Sequence, residues 1–199
     1  MALPFLGLFI AFIAVISFFR KRSDRLQQDT EDAFWEREHQ ANLVRRKDIS
    51  SLSYIIIPFE DFSIGVFQDT QLSELEQTLK SFSDKKILNL TGLSNTDLKM
   101  QYGPANLPAL MEYDQNFTDL LHTLTQYIDR LIELEHLTEA VPVLEFCINI
   151  GSDISAHYLT LADYYKNTQQ SEKIENLRKK ASELNSLTKA SILSKLEHL

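Results

Sequence analysis

The sequence is poor in the residues that cross-link a chain or interrupt a helix. It contains a single cysteine, Cys147, so no intramolecular disulfide can form, and a reducing compartment is the simpler expectation. Only five glycines and five prolines occur in 199 residues, while leucine, glutamate, lysine and alanine dominate the second half. These four residues have high helix propensity, so the composition predicts a mainly α fold.

Motifs of catalytic chemistry are also missing. The five histidines form no His-x-x-x-His pair and no HExxH sequence, and neither GxSxG nor a Walker sequence occurs. No Cys–Cys pair exists for zinc, and Cys147 falls at a small-residue packing position, which favours a buried structural thiol. We therefore expect no catalytic residue, no metal and no cofactor. The enzyme alternative, a hydrolase or transferase built in the middle of the chain, would require a cleft of converging polar side chains.

Charge is distributed unevenly along the chain, whose formal net charge is -8. Residues 20–47 carry eight Lys or Arg against six Asp or Glu, whereas the chain from Asp48 onward carries twelve against twenty-two. A nucleic-acid-binding domain is usually basic, so the acidic remainder argues against a nucleic-acid partner.

One long apolar run is present, at residues 2–19, and it contains no charged side chain. Eighteen helical residues extend about 27 Å, close to the hydrocarbon thickness of a bilayer, so we predict a single transmembrane helix over 2–19. A cleaved signal peptide is the alternative, but the run lacks a preceding basic side chain and a small-x-small cleavage site.

Basic residues follow this run directly: Arg20, Lys21, Arg22 and Arg25. Such charges attract anionic lipid headgroups, and the positive-inside rule places them in the cytoplasm. We therefore predict a single-pass protein of the cell membrane whose C-terminal domain is cytoplasmic.

Residues 20–47 are predicted to form a charged juxtamembrane helix, or neck. Its apolar positions Leu26, Phe34, Ala41 and Val44 form a narrow, interrupted stripe. That stripe is compatible with a solvated spacer helix and with a short coiled-coil or docking helix.

Residues 48–105 are predicted to be an irregular segment with short helices. The run from Tyr54 to Pro58 is expected to lie as an extended strap over helices or to form a small sheet edge. Asp69 is a candidate N-cap, and Ser94 with Asp97 resembles a capping box. The helix that this box opens should stop at Gly103-Pro104.

Within residues 106–199, two segments match at a constant offset of about 34 residues. In each segment, a first predicted helix carries bulky and apolar side chains at the matched positions. A second predicted helix carries alternating small and large side chains, and a residue that ends the helix follows. The first segment has Leu124, Tyr127, Ile128, Leu131, Ala140, Leu144, Cys147 and Ser152 at these positions, and the second has Tyr158, Leu161, Ala162, Tyr165, Ile174, Arg178, Ala181 and Ser186. The pattern is typical of closely packed helix pairs, because small residues let helices approach each other.

The phrases TEAVPVLEFCINIGSD and HYLTLADYYKNTQQSEKI carry most of a resemblance to the tetratricopeptide repeat, over about residues 121–187. The resemblance implies stacked helical hairpins, with residues 187–199 as a capping helix. The sequence departs from the family at Ile128, Ile174 and Arg178, and serine replaces the usual proline at the ends of both repeats. An unrelated antiparallel bundle is the alternative to the predicted fold, which is a transmembrane helix followed by a soluble α-helical repeat domain.

The resemblance also implies a partner-binding groove lined by the first helix of each hairpin. The corresponding positions are His122, Thr125, Asp129, Ile132, Glu133, Leu159, Asp163, Lys166 and Asn167. Thr125 and Asp129 stand where the family's clamp for a peptide carboxylate has Lys and Asn, so that chemistry is not expected. The groove is acidic instead, which favours a basic or amphipathic protein segment. A solvated acidic face without a partner is the alternative.

The leading hypothesis is therefore a non-catalytic, membrane-tethered scaffold or adaptor that binds a protein partner at the cytoplasmic face. The second hypothesis keeps the fold but turns the domain outward, as an envelope or secretion accessory that holds client segments in the manner of a chaperone.

Overall fold

The computed structural model describes residues 3–198, apart from the side chains at positions 3–8, 10, 11, 14, 23–26 and 29. The chain is mainly α-helical, as its composition predicts, and residues 3–198 contain no β-strand. Short 3-10 turns lie at Phe59–Asp61 and Pro104–Asn106. The helices are α1 (Leu3–Asn42), α2 (Thr70–Lys80), α3 (Asn95–Tyr102), α4 (Leu107–Glu133), α5 (Leu137–Asn149), α6 (Ser155–Asn167), α7 (Ser171–Glu183) and α8 (Lys189–Glu197).

α1 runs without a break from the predicted transmembrane span into the predicted neck. Within the part of the chain that the structure describes, no helix combines the length and the apolar character needed to cross a membrane. Residue 2 and the side chains at 3–8, 10, 11 and 14 of the predicted span lie outside the described residues. The transmembrane assignment therefore stays a prediction.

The chain divides into two compact units, each built from two separate stretches of sequence. The first comprises Met1–Asp48 and Ser94–Leu107, and the second comprises Ile49–Leu93 and Pro108–Leu199. The first unit contains α1 and α3, and the second contains α2, most of α4, and α5 to α8.

In the first unit, α3 packs on the C-terminal part of α1. Glu38 of α1 accepts hydrogen bonds from Thr96, at 2.8 Å, and from Lys99, both on α3. The neck helix ends at Asn42 rather than extending to Lys47 as predicted. The reason is that the chain leaves the helix there to bond with the end of α3, where the Lys47 amide donates to the Tyr102 carbonyl at 3.0 Å.

The predicted capping of α3 is confirmed. Ser94 Oγ accepts from the Asp97 amide at 3.2 Å, and Asp97 Oδ2 accepts from the Ser94 amide at 3.0 Å. The helix ends before Gly103, whose φ of +86° favours glycine. An added Cβ would also lie 2.7 Å from the Arg45 carbonyl oxygen, so this position has no room for a side chain.

In the second unit, the segment from Tyr54 to Pro58 forms no strand and lies as a strap on the helical core. The side chain of Ile57 is buried, and Ile55 packs against the same core. The Ile55 amide donates to the Ile87 carbonyl at 3.0 Å, so part of the strap's polar backbone has a partner in another irregular segment.

The offset between the two matching segments recurs in the boundaries of the helices. α5 and α7 each have 13 residues, running from 137 to 149 and from 171 to 183, and α4 and α6 end at 133 and 167. The connecting turns match as well. In each, a non-glycine residue has positive φ, Glu135 in the first and Gln169 in the second. In each, a backbone amide also donates a 2.8 Å hydrogen bond to the carbonyl five residues earlier. The His136 amide donates to Leu131, and the Gln170 amide donates to Tyr165.

On the first helix of each pair, residues that match at this offset of about 34 positions are buried alike. All four matched positions on each of these helices are buried. They are Leu124, Tyr127, Ile128 and Leu131 on α4, and Tyr158, Leu161, Ala162 and Tyr165 on α6. The second helices differ, because Ala140 and Leu144 are fully buried whereas Ile174 and Arg178 are only partly buried. The second hairpin is thus the less completely covered one.

The terminal helix α8 continues the same register. It packs on α6 and α7, and it begins at Lys189, which follows the start of α6 at Ser155 by one further repeat of the same offset. Its buried residues Ile192 and Leu196 are likewise the counterparts of Tyr158 and Ala162 on α6. The predicted capping helix therefore occupies the position of the first helix of a third hairpin.

Candidate functional site: an acidic cleft

The N-terminus of α2 is fixed beside α4 by Asp69. Its side chain accepts from the Leu72 amide at 2.9 Å, which confirms the predicted N-cap. The same carboxylate faces Arg130 of α4, with Nη2···Oδ2 at 2.6 Å and Nε···Oδ1 at 3.2 Å. Hydrogen bonds from Arg130 first, and then from Leu72, lower the pKa of Asp69 to about 2. Asp69 therefore stays ionised and joins the two helices near neutral pH.

The buried side of α2 carries a second carboxylate, Glu76, whose residue is only 5% exposed. Both of its oxygens accept from the Gly65 amide at 2.9 Å, so Glu76 holds the loop before α2. Burial first, and then the charge of Glu76, raise the pKa of Tyr127 to about 12. A buried carboxylate with a backbone partner is a structural element, and it anchors α2 from the side opposite to solvent.

Between α2 and α4 lies an open cleft with a volume of about 470 Å³. Three carboxylates line it, Glu74 from α2 and Asp129 and Glu133 from α4, together with one cation, Arg130. Arg130 bonds to Asp69 as described and to Glu133 at 2.9 Å, so its charge is already shared by two carboxylates. The other lining residues are Gln71, Leu75, Thr78 and Gln126. We call this site the acidic cleft.

The residues predicted to line one groove do not all lie together in the structure. Asp129 and Glu133 enter the acidic cleft, and His122 lies one turn away, with its Nε2 3.1 Å from the Gln126 amide nitrogen. Thr125 points instead to α6, and Ile132 is exposed. The α6 positions do not line the cleft; Leu159 is partly buried, whereas Asp163, Lys166 and Asn167 are exposed.

Thr125 belongs to a buried polar network centred on His157, which is 1% exposed. Thr125 Oγ1 donates to the Leu121 carbonyl at 2.7 Å and lies 3.0 Å from His157 Nε2, so the ring nitrogen is the donor in that contact. Ser152 Oγ lies 2.9 Å from Nδ1 and is then the donor on the other side. Burial lowers the pKa of His157 to about 4, so the neutral ring is the form that connects the two hairpins.

The basic residues predicted to flank the membrane, which we call the basic collar, are exposed where the structure describes their side chains, at Arg20, Lys21 and Arg22. The side chain of Arg25 lies outside the described residues. These residues belong to α1 and take no part in the acidic cleft.

Two features were not predicted from the sequence. The first is Glu74, whose position on a helix distant in sequence gave no sign that it would line the same cleft as Asp129. The second is His157, although its spacing from Ile154 and Leu161 matches one helix face and signals burial.

The acidic cleft presents carboxylates to solvent, and such a surface attracts cationic side chains. Across residues 3–198, no three or more His, Cys, Asp or Glu side chains are arranged to hold a metal ion. Comparisons with protein-family models, with curated proteins and with solved structures found no match. Function is therefore inferred from the cleft itself.

Proposed function

We propose that this protein is a non-catalytic scaffold, tethered to the cell membrane, that recruits a basic or amphipathic segment of a partner protein in the acidic cleft. The observation that carries the proposal is the convergence of Glu74, Asp129 and Glu133 on one open cleft. Its only cation, among the residues that the structure describes there, is Arg130, which is already paired. Lys or Arg side chains of a partner would supply the missing positive charge.

The tether is the apolar run at 2–19, with the basic collar behind it holding the domain at the cytoplasmic face. Anchoring raises the local concentration of the domain at the membrane surface, so a weak contact in the cleft suffices for recruitment there. The fold proposed for residues 121–187 is of the tetratricopeptide kind. The constant offset between the boundaries of α5 and α7 supports this proposal, because it equals the period of the family, about 34 residues.

The open, polar lining of the cleft favours a peptide segment over an enclosed small ligand. Besides its charged residues, the cleft is lined by polar side chains, among them Gln71, Thr78 and Gln126. A basic segment would lie between α2 and α4 with its cationic side chains on Glu74 and Asp129. Binding of this kind is steered by charge and weakens as salt screens the carboxylates.

The test uses the full chain reconstituted in lipid nanodiscs, carrying a photo-crosslinking amino acid at Gln126 inside the cleft. We expect a protein adduct from cell extract that is lost when Glu74 and Asp129 are both replaced by lysine. Asp163→Lys is the matched control, since Asp163 is an exposed acidic residue of α6 that does not line the cleft.

An adduct that persists in the Glu74→Lys, Asp129→Lys double variant would overturn the proposal. Loss of the adduct with Asp163→Lys alone would move the site to the face between α4 and α6 that the sequence resemblance implied. Circular dichroism of each variant shows whether the helices are retained, so that unfolding is not mistaken for lost binding.

A further inference from the structure

A second pocket, of about 270 Å³, lies between α5 and α7, well separated in its residues from the acidic cleft. Its floor is apolar and buried, being formed by Ile148 of α5, Leu161 of α6 and Leu177 of α7, each no more than 5% exposed. The rim is polar and carries Glu145, Asn149, Tyr165, Lys173, Asn176 and Lys180. We call this site the α5–α7 pocket.

The one carboxylate of the rim is already satisfied. Glu145 Oε1 accepts from the Tyr165 hydroxyl at 2.5 Å and from Lys173 Nζ at 3.0 Å. Burial opposes ionisation of Glu145, but the hydrogen bonds from Tyr165 and Lys173 outweigh it and lower the pKa of the carboxyl. Lys173 also lies 5.0 Å from the centre of the Tyr165 ring. These three side chains form a closed polar cluster and leave the pocket without an unpaired negative charge.

The other three rim side chains are different. Among the residues that the structure describes, Asn149, Asn176 and Lys180 have no side-chain hydrogen bond and no ion pair. All three can donate, and Lys180 can only donate. With Glu145 paired to Lys173, Lys180 supplies the net positive charge of the pocket, in a domain that also contains the acidic cleft.

We propose that the α5–α7 pocket binds an aspartate or glutamate side chain, together with an adjacent bulky apolar side chain, from a segment of a protein partner. The apolar floor accommodates the bulky side chain, and Lys180 with the two asparagines bonds the carboxylate. The pocket is smaller than a typical cofactor or drug site, and Asn149, Lys173 and Asn176 of its rim are exposed, so a free small ligand would stay largely hydrated. The domain then recognises two segments of opposite charge at two separate sites.

The probe is the blocked tripeptide N-acetyl-Leu-Glu-Leu-amide, titrated into the full chain in nanodiscs with isotope-labelled isoleucine and leucine methyl groups. We expect saturable shifts of the Ile148, Leu161 and Leu177 methyl signals, because these side chains form the floor of the pocket. The tripeptide with Gln in place of Glu should bind about tenfold more weakly, because it removes the charge from the hydrogen bonds.

Lys180→Glu should weaken binding of the Glu tripeptide at least about tenfold, because it places a like charge at the site. Lys179→Glu is the matched control: the same change on the next residue of α7, exposed and outside the pocket, where we expect the affinity to stay within about twofold. Absence of shifts at the three methyl groups, equal affinity for the Gln tripeptide, or equal effects of the two lysine variants would each overturn the proposal. None of these outcomes bears on the acidic cleft.

Discussion

Acidification is expected to destabilise the second unit through one buried side chain, His157. Its pKa is about 4 in the folded chain, against about 6.5 for an unhindered histidine. Because the folded pKa is the lower one, the unfolded chain takes up the proton first. The full stability is therefore present above about pH 6.5 and is lost as the pH falls toward 4.

The size of the effect follows from the two pKa values. Linkage gives a loss of about 2 kcal/mol in unfolding free energy between pH 7 and pH 5, and about 3 kcal/mol below pH 4. The carboxylates with perturbed pKa values, Asp69 and Glu145 among them, are shifted downward and titrate below this interval. Between pH 7 and pH 5 the buried ring is thus expected to dominate.

Urea denaturation at several pH values, followed by circular dichroism, measures the loss directly. His157→Gln removes the titrating group but keeps a polar side chain toward Thr125 and Ser152, so its unfolding free energy should vary little between about pH 7 and pH 5. His122→Gln, at an exposed histidine, should retain the dependence of the native chain. A flat profile for the native chain, or an unchanged slope in His157→Gln, would refute the reasoning.

Leu144→Ala should lower the unfolding free energy by about 2–5 kcal/mol, because Leu144 is fully buried. The matched position in the second hairpin is only partly buried, so Arg178→Ala should cost clearly less in the same urea titration, and equal losses would contradict the difference in packing. Gly92→Ala should lower the melting temperature, since Gly92 has a φ of +84° and an added Cβ would collide with the Asn185 side chain; an unchanged melting curve would count against that geometry. Cys147 is buried, and burial raises the pKa of its thiol, so it should resist a membrane-impermeant maleimide in the folded chain. A cysteine introduced on the surface of α7 should then be labelled only after cells are permeabilised, and labelling of intact cells would reverse the proposed orientation.

The hairpin helices could be predicted from the sequence because their burial follows a local spacing. Leu124, Tyr127, Ile128 and Leu131 recur at the spacing of one helix face, and all four are buried. The caps at Asp69 and Ser94 were predictable for the same reason, since an N-cap bonds to amides two or three residues away.

The acidic cleft could not be predicted in this way, because its walls come from distant parts of the chain. Asp69 and Arg130, which join those walls, are 61 residues apart in sequence. Local pattern places Glu74 on the exposed side of α2 but does not say which helix that side approaches. The resemblance to a repeat family supplied the neighbours of α4 within the array and had no counterpart for α2.

The register of α8 has a consequence for how the domain opens. In the proposed repeat array, each unit is stabilised by its own packing and by its immediate neighbours, so a unit that buries few side chains opens most easily. α8 has nine residues and buries only Ile192 and Leu196, whereas α5 is covered more completely. Amide hydrogen exchange should therefore be graded along the array, fastest in α8 and slowest in α4 and α5, with opening that starts at the last helix and proceeds inward.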